Sequence, residues 1–246
     1  MTQHRFHISS AVLHILAMAL MLCDHLWATV IPGNEWLTCI GRIAFPIFAF
    51  LLVEGYFHTR NLKNYVLRLL FFAVISEIPF NLMYSSSVVF PFHQNVIWTL
   101  LIGLWMIHLN EKARSTGKTS VRIWGTVGTI LLGIVLGFVT FADYNAAGVL
   151  TILLFYFFRG RNWWCCAGQL AGMYYLNFQM LRGLVYEIPL AGRILVFPQQ
   201  GLAILALILI WLYRGQKGYS AKWFQQLCYW FYPAHMILLW LIRYLT

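Results

Sequence analysis

The chain has 246 residues, 61% of them hydrophobic, 17% aromatic and only 10% charged, with a mean hydropathy of +0.72. Soluble domains carry about 25% charged residues, so this composition excludes an ordinary soluble globular protein and predicts a multi-pass membrane protein. A net charge of +10 invites a nucleic-acid surface, a reading that the placement of the basic residues removes.

The first apolar run, 10–31, follows MTQHRFH without an A-x-A cleavage site, which predicts an uncleaved anchor. Its far end reads MLCDHLW and places Asp24 and His25 side by side. An Asp at a helix centre in hydrocarbon costs roughly 2.5–3.5 kcal/mol, so both residues need a purpose. The second run, 38–57, holds Arg42 and Glu54, and the third, 65–84, holds Arg68, Glu77 and Asn81 around Pro79. His93, Gln94 and Asn95 open the fourth, 94–110. Further runs follow at 122–141, 145–158 (short), 163–181, 199–213 and 223–245, the last with Pro233 and His235. Spans need about 20 residues, fewer when buried among neighbours. The reading is therefore all-α: a polytopic membrane helical bundle of about nine transmembrane helices, with an interfacial or re-entrant piece open for the 182–198 linker. No internal repeat or low-complexity tract divides residues 1–246, which read as one integral-membrane domain.

Arg5, Arg60, Lys63, Arg68, Lys112, Arg114, Lys118, Arg122, Arg159, Arg161, Arg214, Lys217 and Lys222 fall on one side of this arrangement. Only Arg42, Arg182, Arg193 and Arg243 fall on the other. The positive-inside rule then puts the N-terminus in the cytoplasm and the C-terminus outside. The basic residues are topology signals, and no nucleic-acid partner is expected. The five cysteines show no C-x-x-C spacing; free thiols are the default, with a Cys23–Cys39 disulfide left open.

A rise of about 1.5 Å per residue sets depth. Asp24, His25, Arg42, Glu77, Asn81, His93 and Asn95 all fall at one outer level. Intramembrane ionisable groups face the bundle interior and pair, so a structural ion pair of Asp24 or Glu77 with Arg42 is one account. Adjacent helix positions diverge by about 100°, so Asp24 is better placed to anchor Arg42 than to orient His25, with Glu77 an alternative partner for that imidazole. A histidine is not needed to balance Arg42, and its titration range suits proton transfer. His14, Met18, Met21 and His25 share one helix face, a pattern weighed as a copper or haem stripe. Methionine at that spacing is ordinarily packing material, and no metal is predicted. On the inner side, GYFHTRNLKNYVLRLL offers His58, Arg60, Asn61, Lys63 and Arg68 either to set topology or to bind phosphates.

Several stretches carry a resemblance to a known family: CDH closing the first run, RIAFPIFAFLLVEGYFHTRNLKNYVLRLL, SEIPFNL, QNVIWTLLIGL and the terminal FYPAHMILL. Together they resemble the TraX family, whose namesake acetylates the N-terminus of conjugative pilin. The family looks like part of a wider group of transmembrane acyltransferases that use cytoplasmic acyl-CoA and an intramembrane polar residue, typically histidine. The resemblance implies a multi-pass protein of the bacterial inner membrane that moves an acyl group, most simply acetyl from acetyl-CoA, to an outer amine or hydroxyl such as a peptide N-terminus. It points to His25, Asp24, Glu77 and Arg42 for the chemistry and to Asn81, Asn95, His235 and Glu54 around the substrate. His58, Arg60, Asn61, Lys63 and Arg68 would meet the donor's phosphates, and a pantetheine arm reaches roughly half the hydrocarbon thickness. The alternative is a small proton-coupled transporter with an Asp/His/Glu relay, which lacks the internal repeat that many transporters show; a structural role in a secretion apparatus is a third.

Overall fold

The computed structural model describes residues 7–190 and 192–245. Arg5, counted among the cytoplasmic charges, lies outside the described residues. The chain is mostly helical, with α1 (Ser10–Thr29), α2 (Glu35–Gly41), α3 (Ala44–His58), α4 (Leu62–Ser85), α5 (Val96–Ser115), α6 (Thr119–Val139) and α7 (Asn145–Phe157). After α8 (Trp163–Tyr174) come a π-helical turn (Tyr175–Leu181), two strands, a 3-10 segment (Gln199–Leu205), α9 (Ala206–Leu212) and α10 (Lys222–Leu245). Every predicted apolar run is helical. Among the described residues four stretches are long and apolar enough to cross a membrane: Ser10–Thr29, Glu35–His58, Leu62–Ser85 and Thr119–Val139. Asn145–Phe157 and Gln199–Leu212 are shorter apolar helices.

The all-α expectation needs one correction. Val185–Leu190 (β1) and Arg193–Pro198 (β2) form an antiparallel hairpin with Tyr186 opposite Phe197. Arg182 and Gly183 take left-handed backbone conformations where the π-helical turn ends, and Gly192 does so at the hairpin tip. Pro189 and the β-branched Val185, Ile188, Ile194 and Val196 then favour extended chain over helix. All five cysteines are free thiols.

The chain forms two compact units, Met1–Leu51 with Met173–Thr246, and Leu52–Gly172. In the first, α1 packs on α2 and α10. Leu13, Ala17, Met18, Met21 and His25 are buried, a stripe at helical spacing. Met18 and Met21 thus act as packing residues, while His14 Nδ1 sits 2.8 Å from Ser10 O.

In the second unit α5, α6 and α7 pack on one another and α4 packs on α5. Buried polar groups join them: Asn110 Nδ2 donates to Thr126 Oγ1 and Thr129 Oγ1, both at 3.1 Å, and Tyr156 donates to Glu111 Oε1 at 2.5 Å. Such interhelical bonds replace the hydrophobic drive that lipid removes. Asn95 fastens the α4–α5 pair. Its Oδ1 caps α5 at Ile97 N (3.1 Å), and its Nδ2 donates to Ala73 O (2.8 Å) and Glu77 Oε1 (2.5 Å).

Asn95→Ala should therefore lower stability by about 3 kcal/mol, combining a lost helix cap with lost bonds to a carboxylate. Thermal unfolding in detergent reads this, with Thr116→Ala at the other end of α5 as the control that moves little.

Candidate active site

In the first unit the site begins where α1 and α2 touch. Gly41 lies directly against Asp24, and any side chain there would strike the Asp24 backbone and Cβ. This approach brings α2 onto the carboxylate. Thr38 Oγ1 donates to Asp24 Oδ1 at 2.7 Å, and Arg42 Nη2 forms an ion pair with the same oxygen. Asp24 thus anchors Arg42, as expected from its helical position.

His25 faces another neighbour. Its Nδ1 lies 2.7 Å from Nε2 of His235, and the two residues are 7% and 5% exposed. The rings are 11° from parallel with centroids 4.9 Å apart, so they meet edge to edge, nitrogen to nitrogen. Two N–H groups cannot face each other at that distance, so one ring donates and the other accepts. His235 Nδ1 is 2.7 Å from Phe231 O, a pure acceptor, and therefore carries the proton. His235 Nε2 must then accept from His25 Nδ1–H, which leaves the His25 lone pair on Nε2. Pro233 interrupts the α10 ladder two residues earlier. The resemblance implies a substrate-side place for His235; its Nε2 here lies against His25 Nδ1.

Sequence reasoning missed three buried amides. Arg42 Nη1 donates to Gln200 Oε1 at 3.4 Å, Gln200 Nε2 to Asn177 Oδ1 at 3.2 Å, and Asn177 Nδ2 to Met173 O at 2.8 Å. Gln199, beside them, is also buried. The available signal was the amide itself, set within an otherwise apolar run.

The second unit holds the remaining predicted residues. Glu77 Oε1 accepts from Asn95 N (3.0 Å), Asn95 Nδ2 and Trp98 Nε1 (2.8 Å). Its Oε2 and Asn81 Oδ1 are buried without a hydrogen-bond partner among the described residues. Asn81 Nδ2 donates to Val88 O at 3.3 Å. Both Nδ2 hydrogens of Asn95 are spent within the fold, so it has none left to offer a substrate. His93 Nε2 is 3.4 Å from Asp143 Oδ1, a carboxylate that the sequence reading did not single out.

At the other end of this unit Glu54 pairs with Arg159 at 2.7 Å, which also lies 4.3 Å over the Phe57 ring. Glu54 thus holds Arg159 within this unit. His58 Nδ1 sits 2.8 Å from Glu54 O, and Asn61 caps α4 at Asn64 N (3.0 Å). Arg60, Lys63 and Arg68 are exposed.

Long apolar helices with buried, mutually bonded ionisable groups define an integral membrane protein of the helical class. Residues 9–243 match the family described as TraX protein, and the chain belongs to the TraX family. It is 30% identical, over 94% of both chains, to a protein of Dichelobacter nodosus named probable fimbrial assembly protein FimC, serogroup H1. No solved structure matches the chain.

His93 provides a pH test. Its hydrogen bond to Asp143 raises its pKa above the ordinary 6.5. A raised folded pKa gives stability that is fully present below the unfolded value and lost as pH rises through the folded one. Melting temperatures measured from pH 5 to 9 should therefore fall through this window, and His93→Gln should remove that part of the dependence.

Proposed function

We propose that this protein is an acyl-CoA-dependent transmembrane acyltransferase, most simply an acetyltransferase. The N-terminus and the 111–121 loop face the cytoplasm, and the acceptor is an amine or hydroxyl on the outer side. Membership of the TraX family and similarity to a protein named for fimbrial assembly make a pilin-type peptide N-terminus the first acceptor to test. The single observation that carries the chemistry is the buried His25–His235 pair, because it presents a defined lone pair at His25 Nε2.

In the direct route, His25 Nε2 takes the proton of the acceptor nucleophile as it attacks the thioester carbonyl. The tetrahedral oxyanion is stabilised by the Arg42 guanidinium. Collapse expels the CoA thiolate, which recovers the proton from His25. In the covalent version of the same site, His25 Nε2 attacks the thioester and the CoA thiolate leaves; the acceptor nucleophile then takes the acyl group from His25, and its proton passes to the thiolate. His235 holds the ring in its working tautomer in both.

His25→Ala should lower acyl transfer by about 10²–10⁴-fold in a protein that still inserts and purifies as wild type, the range for loss of a general base. Acetyl-CoA consumption by purified protein with a pilin-type peptide reads it. Wild-type turnover in a folded His25→Ala protein would remove His25 from the mechanism. Wild-type protein that consumes no acyl-CoA under any acceptor would favour the proton-coupled transporter reading instead.

The donor's phosphates are assigned to the exposed basic residues Arg60, before α4, and Lys63 and Arg68, on it. Arginine binds phosphate in bidentate fashion where lysine offers a point charge, so Arg60→Ala with Arg68→Ala should raise the KM for acetyl-CoA more than Lys63→Ala does. Such contacts persist from ground state to transition state, and kcat should change less. In right-side-out vesicles, Ser115→Cys on a background lacking the five native cysteines should resist an impermeant thiol reagent. Labelling there would reverse the assigned donor side.

A further inference from the structure

We infer that Gln200 and Asn177, buried amides on the 3-10 segment and the π-helical turn, are positioning residues that set the aim of the Arg42 guanidinium. What Arg42 does with that aim rests on the acyltransferase reading; the chain of bonds itself does not.

The polarity of the chain is set from both ends. Met173 O can only accept, so Asn177 turns Nδ2 towards it, at 2.8 Å. Asn177 Oδ1 then faces away and accepts from Gln200 Nε2 at 3.2 Å. Gln200 therefore points Oε1 at Arg42, which can only donate. Flipping either amide would set acceptor against acceptor or donor against donor at two contacts, so neither amide has a second orientation that satisfies its neighbours. At the far end Asp24 Oδ1, acceptor only, takes the Arg42 Nη2 ion pair together with Thr38 Oγ1. Arg42 Nε completes the grip on Thr38 O at 3.3 Å. All three guanidinium nitrogens are engaged, each on a different partner.

Local backbone explains how two residues separated in sequence meet. The π-helical turn widens the helix locally and re-aims Asn177, a device often found at functional sites. Pro198 precedes the 3-10 segment. Gly201 then lies so close to the Phe178 ring that any side chain would collide with it. The 3-10 segment is thereby seated on the π-helical turn, with Gln200 facing Asn177. Both amides are under 5% exposed, where leaving a hydrogen bond unmade is destabilising.

The choice of an amide has a chemical reason. Asp24 already balances the Arg42 charge, and a second carboxylate would leave the group net negative beside a developing oxyanion. A neutral amide fixes the plane of the guanidinium and adds no further negative charge beside it. A fixed plane is what an oxyanion donor needs, since donors work when aimed in advance at the developing charge.

The test uses full-length protein in detergent or proteoliposomes. Asn177→Leu and Gln200→Met should each lower kcat for acyl transfer by about 10–100-fold, the scale of a small misplacement in a catalytic array. The KM for acetyl-CoA should stay within about threefold. The double variant should fall no further than the worse single one, because both cut the same chain. Wild-type kcat in either single variant, or a double variant that falls well below the worse single one, would overturn the inference. A second readout needs no turnover: a thermal-unfolding cycle of Arg42→Met and Gln200→Met should be non-additive. Additivity overturns the inference, whereas coupling in a wild-type protein that consumes no acyl-CoA defeats the acyltransferase reading alone.

Discussion

The ion pair of Asp24 with Arg42 is the constraint on which the first unit depends. Both side chains are largely withdrawn from solvent, Arg42 at 19% and Asp24 at 15% exposure, so each charge depends on the other for most of its compensation. Making the pair requires α2 to approach α1 at Gly41, where a side chain would collide with Asp24. That approach delivers Thr38 to the same carboxylate oxygen and orients Arg42 towards Gln200. The pair thereby organises Gly41, Thr38 and Gln200 around it.

The histidine pair follows a different logic. It is neutral as a unit and is fixed by hydrogen-bond direction rather than by charge. One backbone carbonyl, Phe231 O, decides the tautomer of His235, and that decides which nitrogen of His25 carries the lone pair. Asp24 and His25 are neighbours in sequence with opposite duties: one anchors a cation, the other offers a base. The helix separates them by about 100°, and each is buried against a different element of the same unit.

In the second unit the polar groups are largely consumed by the fold. Asn95 caps α5 and spends both amide hydrogens on Ala73 and Glu77, and Glu54 holds Arg159. Asn95, fully buried, meets the cost of ending a helix where water cannot satisfy the backbone. The functional weight of the proposal therefore rests on His25, His235 and Arg42, with the exposed basic residues Arg60, Lys63 and Arg68 assigned to the donor.

Composition and hydropathy by themselves determined the helical membrane class and the location of every apolar helix, because both depend on local transfer energies summed along a run. The motifs around CDH, FPIFAFLLVEG and SEIPFN were enough to indicate the family. Helical angle alone separated Asp24 from His25 and directed Asp24 to Arg42. The hairpin at 182–198 was not legible, since apolar residues punctuated by Gly and Pro suit an interfacial helix or a strand pair equally. Tertiary structure alone decided that His235 lies against His25, that Asn95 is spent on Glu77, and that Asn177 and Gln200 reach Arg42. Each of these joins residues 18 to 210 positions apart, and hydrogen-bond direction between such partners is a property of where helices cross, which no local pattern encodes.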